Sequence, residues 1–249
     1  MDKMNAWLLI KRFLITRKCV LCRDVIDYKR IDPICDDCES EWDDFLEHRC
    51  NRCGADRHSC NCVPLLIKKH FPRYCWSVFY NPKGQENADK LVYALKYERN
   101  IAFSEFCART IKNSLMYYCH KHNINYKEFA VTYVPRRKWN KRIYWLDHSR
   151  DLAKHLAKML DLDFVEAIEN NGTKDQKTLS AIERRRNAQS AFSLKKNFEN
   201  KHKKYFLVDD IMTTGSTLVY CSRVLMEAGA TEIIPVTYAK DNYKTKGDY

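Results

Sequence analysis

The chain has 249 residues, a formal net charge of +12 and a 45% apolar share against 31% charged. This composition argues for a globular protein with a real core, and the length suits one ordinary domain plus a small one. No run of about twenty apolar residues occurs, so no transmembrane helix is expected. The surplus of cations attracts polyanions without sequence selectivity, but lysines are spread over most of the chain, so it argues only weakly for nucleic acid over plain solubility.

Residues 6–15 are apolar but broken by Lys11 and Arg12. They read as a helix packed on the body, with peripheral membrane attachment the lesser reading. Next come Cys19-x2-Cys22, Cys35-x2-Cys38, Cys50-x2-Cys53 and Cys60-x-Cys62. Thiolates two residues apart chelate one zinc ion from a tight knuckle, and four thiolates close a structural site with no open position. Four pairs point to two such sites. Sequential pairing is the simplest, while interleaving and a single zinc stay open because the last pair has one spacer residue. Nothing at the N-terminus resembles a cleavable signal, which favours metal in a reducing, cytoplasmic setting over disulfides. His48 and His58 lie among the thiols, and surface placement is favoured for both over ligation. Cys75, Cys107, Cys119 and Cys221 stand in apolar surroundings and read as buried free thiols.

The cysteine-rich segment to about residue 66 is too small to bury a full core alone, so metal would supply what packing lacks. Residues 68–74 read as a connector and 75–80 as a strand. A turn over 81–84 and helices over 86–97 and 101–121 follow. Residues 130–134 form a strand stopped by Pro135, with a basic run, Arg136-Arg137-Lys138, placed to serve an anion. A helix over 149–160, a short strand over 163–168 and a basic helix over 180–190 come next. Residues 195–204 read as a solvated basic loop. A strand over 205–208, a helix over 217–228 closed by Gly229, and a strand over 233–238 complete the pattern. Alternating strands and helices predict an α/β fold with a parallel sheet covered on both faces.

The most informative stretch is Tyr205 to Leu218. An apolar strand ends in Asp209 and Asp210, a loop of hydroxyls and glycine follows (Thr213, Thr214, Gly215, Ser216, Thr217), and a helix begins. The first amides of a helix lack internal partners and carry the positive end of the macrodipole, so they attract phosphate. Glycine lets the backbone approach an anion closely. Carboxylates at a strand end accept hydrogen bonds from vicinal ribose hydroxyls or hold magnesium. Helix capping by serine and threonine accounts for part of this pattern but not for the paired acids.

This stretch resembles the phosphoribosyl pyrophosphate (PRPP) signature of the type I phosphoribosyltransferases. The resemblance implies that the two acids bind ribose hydroxyls and that Thr213 to Thr217 cradle the 5′-phosphate. Combined with the cysteine pairs, it extends to the ComF family, bacterial proteins associated with competence for DNA uptake. Leu95-Lys96-Tyr97, Val134-Pro135 with Arg136 and Arg137, and Thr173-x2-Gln176-x2-Leu179-x4-Arg184-x2-Asn187-x4-Phe192 are similar to segments of that family. The resemblance implies a zinc-ribbon module over 1–66 and a phosphoribosyltransferase-like domain over 75–249. Zinc would be structural and magnesium would accompany PRPP. Pro135, Arg136 and Arg137 would approach the pyrophosphate, with Asp209 and Asp210 as the catalytic carboxylates.

One departure stands out. Where many relatives carry Arg-Gly-Phe-Asn-Gln, this chain has Tyr144-Trp145-Leu146-Asp147-His148. His148 invites an acid/base role, but capping of the next helix by Asp147 or Ser149 explains the same residues and is favoured. Three functions remain open at this level. One is an accessory protein of DNA uptake that binds PRPP and contacts single-stranded DNA or competence-machinery proteins. The others are a phosphoribosyltransferase acting on a nucleobase or related amine, and a PRPP sensor without turnover.

Overall fold

The computed structural model describes residues 17–27, 30–47, 49–50, 53–80, 90, 94, 101–136, 147–172 and 191–241. Its centre is a four-stranded sheet of β1 (Cys75–Tyr80), β2 (Phe129–Tyr133), β5 (Lys204–Met212) and β6 (Glu232–Asp241). The order is β1-β6-β5-β2 and every pairing is parallel. β3 (Ile168–Asn170) and β4 (Phe192–Leu194) form a separate antiparallel pair. Among the described residues the α-helices with defined bounds are α1 (Asp36–Leu46), α2 (Leu65–His70), α3 (Ile101–Lys121), α4 (His148–Leu160) and α5 (Ser216–Glu227).

The central strands are near-continuous apolar runs because both of their faces are covered. Alternate side chains along β5 serve opposite faces. Phe206 and Val208 join Val131, Ile234 and Val236 beneath Ile111 and Leu115 of α3 and Leu152 and Leu156 of α4. Tyr205 and Leu207 join Trp76, Ala130 and Ile233 beneath Leu218, Val219 and Leu225 of α5. The cysteine-rich segment is divided between these two cores. Val20, Ile34 and Trp42 pack on the α3 side, with the Trp42 and Phe106 rings 6.1 Å apart. Val63, Ile67 and Phe71 pack on the α5 side. The segment thus borrows both cores of the sheet to bury its own apolar residues.

Several expectations shift. β5 runs to Met212, past both acids, because its ladder with β6 continues through Asp209↔Thr237, Ile211↔Ala239 and Met212↔Lys240. The expected strand over 163–168 reduces to a single parallel bridge, Phe164 to Val131, before the chain turns away to pair β3 with β4. The connector over 68–74 is half taken by α2, and the basic loop ends in the first residue of β5. Cys75, Cys107, Cys119 and Cys221 are buried thiols, as expected. The expected elements over 6–15, 81–84 and 180–190 lie outside the described residues. Of 86–97 only Lys90 and Ala94 are described, and both are helical.

Candidate functional site

β5 carries its two acids to different surroundings, as adjacent strand residues point to opposite faces. Asp209 is only 7% exposed. Its Oδ1 accepts from Ser149 Oγ at 2.9 Å and from the Asp210 amide at 2.9 Å, and its Oδ2 accepts from Thr217 Oγ1 at 3.5 Å. Burial raises its pKa well above the usual carboxylate range, and the charge of Asp210 adds to the shift despite the hydrogen bonds. Asp210 is more open. Its Oδ1 accepts from the Ile211 amide at 2.8 Å, and its Oδ2 pairs with Arg136 Nη2 at 3.4 Å.

Arg136 arrives because β2 neighbours β5. The Val134 amide donates to the Val208 carbonyl at 2.9 Å, which carries Pro135 and Arg136 to the carboxyl end of β5. Asn170 Nδ2 donates to the Pro135 carbonyl, and the Arg136 amide donates to Asp147 Oδ2 at 3.4 Å. This loop is therefore held from β3 and from the start of α4. Arg137 and the Tyr144–Leu146 part of the divergent segment lie outside the described residues, as do Leu95–Tyr97 and all of the Thr173–Phe192 stretch except its last two residues.

The hydroxyl loop leaves β5 at its carboxyl end. Thr213, Thr214 and Thr217 are exposed and Ser216 is half-buried. Gly215 is the N-cap of α5, with φ 76° and ψ 2°, and no side chain caps the helix. Thr214 Oγ1 lies 3.0 Å from Ser216 Oγ and accepts weakly from the Ser216 amide. Apart from that weak contact no side chain caps the first turn of α5, an arrangement that suits an anion. Gly215 is required twice, by its left-handed backbone and by close packing: an added Cβ would fall 2.4 Å from Ile67 Cδ1.

At the start of α4, Asp147 stands at the N-cap without a side-chain capping bond. Neither Asp147 nor Ser149 caps α4 with its side chain, against the expectation from sequence. The Ser149 hydroxyl is engaged by Asp209, while His148 is 2% exposed.

The eight thiols fall into two groups, Cys19, Cys22, Cys35, Cys38 and Cys50, Cys53, Cys60, Cys62, each with its sulfurs within 4.8 Å of one another. Sequential pairing is thus the one the fold adopts. Both first knuckles close alike. The Arg23 amide donates to the Cys19 carbonyl and the Gly54 amide to the Cys50 carbonyl, with Arg23 and Gly54 both left-handed, φ 71° and 69°. Zinc–sulfur bonds of about 2.3 Å in a tetrahedron separate sulfurs by roughly 3.8 Å. Cys22 and Cys35 Sγ are 3.6 Å apart, and Cys53 and Cys60 Sγ 3.8 Å, so both groups fit zinc. His58 belongs to neither group and packs on the Tyr117 ring with centroids 4.1 Å apart. His48 lies outside the described residues.

Sequence reasoning missed Lys240. It is 1% exposed at the end of β6, with Nζ 2.7 Å from the Cys62 carbonyl, 3.7 Å from Cys60 Sγ and 4.0 Å from Cys50 Sγ. A buried ammonium needs a compensating anion, and the four thiolates that would hold zinc here would supply one. The available signal was a lysine closing an otherwise apolar strand, Ile233 to Ala239.

A phosphoribosyl transferase domain model matches residues 146–249. Competence protein F of Haemophilus influenzae is 27% identical over 230 residues, 87% of this chain and 93% of that protein. DNA utilization protein YhgH of Escherichia coli O157:H7 is 28% identical over 57% of this chain and 63% of its own length. A hypoxanthine phosphoribosyltransferase from Staphylococcus aureus superposes at TM-score 0.35 with 16% identity, over 58% of this chain and 71% of that one. The strand order and the domain match carry the fold assignment without that superposition. A likeness that runs through most of both chains, with paired four-cysteine clusters ahead of a phosphoribosyltransferase domain, bears out the resemblance to the ComF family.

Proposed function

We propose that the chain binds PRPP at the carboxyl end of β5 and serves as a cytoplasmic accessory factor in DNA uptake. The observation that carries the PRPP reading is the uncapped start of α5 behind Gly215, with Asp210 and Arg136 paired beside it. In this reading Thr213 to Thr217 take the 5′-phosphate through amides and hydroxyls. Asp210, the more accessible acid, accepts from the ribose hydroxyls, and Asp209 fixes the loop by receiving Ser149 and Thr217. Arg136, with Arg137 after it, faces the pyrophosphate and exchanges its partner Asp210 for that group.

The residues support displacement at the anomeric carbon. Arg136 stabilises charge on the departing pyrophosphate, and the carboxylates oppose the positive charge that develops on the ribose ring. Asp210 offers hard oxygen ligands of the kind magnesium takes together with substrate phosphates, and the ion when bound would neutralise pyrophosphate charge. Zinc in the cysteine clusters is structural, because four thiolates leave no open position.

The place in DNA uptake is supported by the names of the two relatives, one a competence protein and one a DNA utilization protein. The net charge of +12 supports weak, sequence-independent contact with single-stranded DNA, falling steeply with salt. Metal-type cysteine clusters support a reducing compartment. The experiment is pyrophosphate release from PRPP and magnesium with a panel of nucleobases and amines, run beside PRPP binding. Binding with release identifies a transferase, and binding without release a sensor. No binding would remove the PRPP reading altogether.

A further inference from the structure

A cavity of about 390 Å³ lies where the second cysteine cluster, the start of β1 and the end of α3 meet. Its size is that of a small-molecule site. It shares no residue with the hydroxyl loop, and it opens at the amino end of β1, whereas that loop leaves the carboxyl end of the parallel strand β5. The lining holds Arg57 and Lys121, four aromatic rings and no carboxylate.

Two of its lining residues carry unspent donors. Trp76 is 6% exposed, and its Nε1 is buried with no hydrogen-bond partner. Arg57 Nη1 is likewise buried without an acceptor, while Nε donates to His58 Nε2 at 3.1 Å. Among the described residues no carboxylate pairs with Arg57 within 4.0 Å. A half-buried guanidinium and a buried indole N–H left without acceptors are both costly, and the cost is recovered when an acceptor enters. Tyr74 stacks near Trp76 with centroids 6.1 Å apart, and Tyr117 lies across the seam, half-exposed. Lys121 Nζ already spans that seam to the His58 carbonyl at 3.1 Å.

We propose that this cavity is a second ligand site, for a small organic anion carried on a planar ring. Its anionic oxygens take the hydrogens of Arg57 Nη1 and Trp76 Nε1, and its ring lies among Tyr74 and Tyr117. Arg57 and His58 come from the second cysteine cluster, Trp76 from β1 and Tyr117 from α3, so the occupant clamps the cluster to the sheet.

Calorimetric titration of the zinc-loaded full chain with phenyl phosphate and with benzoate tests this. Each couples an anion to a planar ring, and the pair separates phosphate from carboxylate preference. The expected result is saturable binding of at least one probe at one site per chain. Arg57→Met and Trp76→Phe should each weaken it roughly tenfold, the loss of one charge-assisted hydrogen bond, with zinc content unchanged. Should Trp76→Phe lose zinc, Arg57→Met and Lys121→Met decide the matter, since both side chains reach solvent. Absence of binding by either probe would overturn the proposal. So would binding undiminished by the cavity substitutions, as expected of phenyl phosphate held at the hydroxyl loop.

Discussion

Ile67 of α2 occupies the space that a side chain on Gly215 would need, its Cδ1 standing 2.4 Å from the position of an added Cβ. The glycine that opens α5 therefore rests on a residue just beyond the second cysteine cluster. Lys240 makes a second tie, reaching that cluster from the strand position paired with Met212, the residue before the hydroxyl loop. The cluster thus buttresses the loop from behind.

Gly215→Ala combines a strained left-handed backbone with an overpacked contact, and should destabilise the protein by about 1–3 kcal/mol in urea unfolding. Ile67→Ala alone leaves a cavity worth about 2–5 kcal/mol. The double variant should lose less than the sum, by about 0.5–3 kcal/mol, because the new methyl fills part of that space. Strict additivity would show that the two residues do not press on each other.

Asp209 binds a proton more readily in the folded chain than in the unfolded one, because burial disfavours its charge. A raised carboxyl contributes stability below its unfolded value and loses it as pH rises through the folded value. Asp209→Asn keeps an acceptor for Ser149 without the buried charge. Its melting temperature should exceed the wild type's at neutral pH, and the gap should close as pH falls toward about 4, where the unfolded carboxyl protonates. A variant less stable than wild type at neutral pH would contradict this.

Lys240→Met removes the cation facing the second cluster while keeping its length and apolar stem. Zinc affinity at one of the two sites should fall about 10–100-fold in chelator competition, with the other unchanged. Equal loss at both sites, or none, would separate Lys240 from the metal.

Much of the loop and both clusters could be read from sequence. An apolar run, two acids, hydroxyls and Gly215 are local signals, and cysteine spacing is local too. The contacts that complete the site are not. Ser149 meets Asp209 across 60 residues and Lys240 meets Cys60 across 180. Such pairs depend on strand order, which no short pattern encodes. The extent of β5 was underestimated for a related reason, since Asp209 and Asp210 read as an end when only the β6 ladder decides where pairing stops. The start of α4 misled differently, because Ser149 has the chemistry of a cap and is turned to a carboxylate instead.

Arg136→Met leaves Asp210 without its cation. The pair is partly exposed, at 23% and 17% of the two side chains, so stability should change by less than about 1 kcal/mol. PRPP affinity should fall roughly tenfold or more, the value of a charge-assisted contact to pyrophosphate. A large loss of stability with unchanged affinity would make Arg136 a structural residue instead.

The central claim is that the carboxyl end of β5 holds PRPP, and titration calorimetry of the zinc-loaded chain with PRPP and magnesium tests it most directly. The account predicts saturable binding at one site per chain, weakened roughly tenfold or more by Asp210→Asn and abolished by Gly215→Val. No heat of binding in the wild type, or equal affinity in both variants, would contradict it.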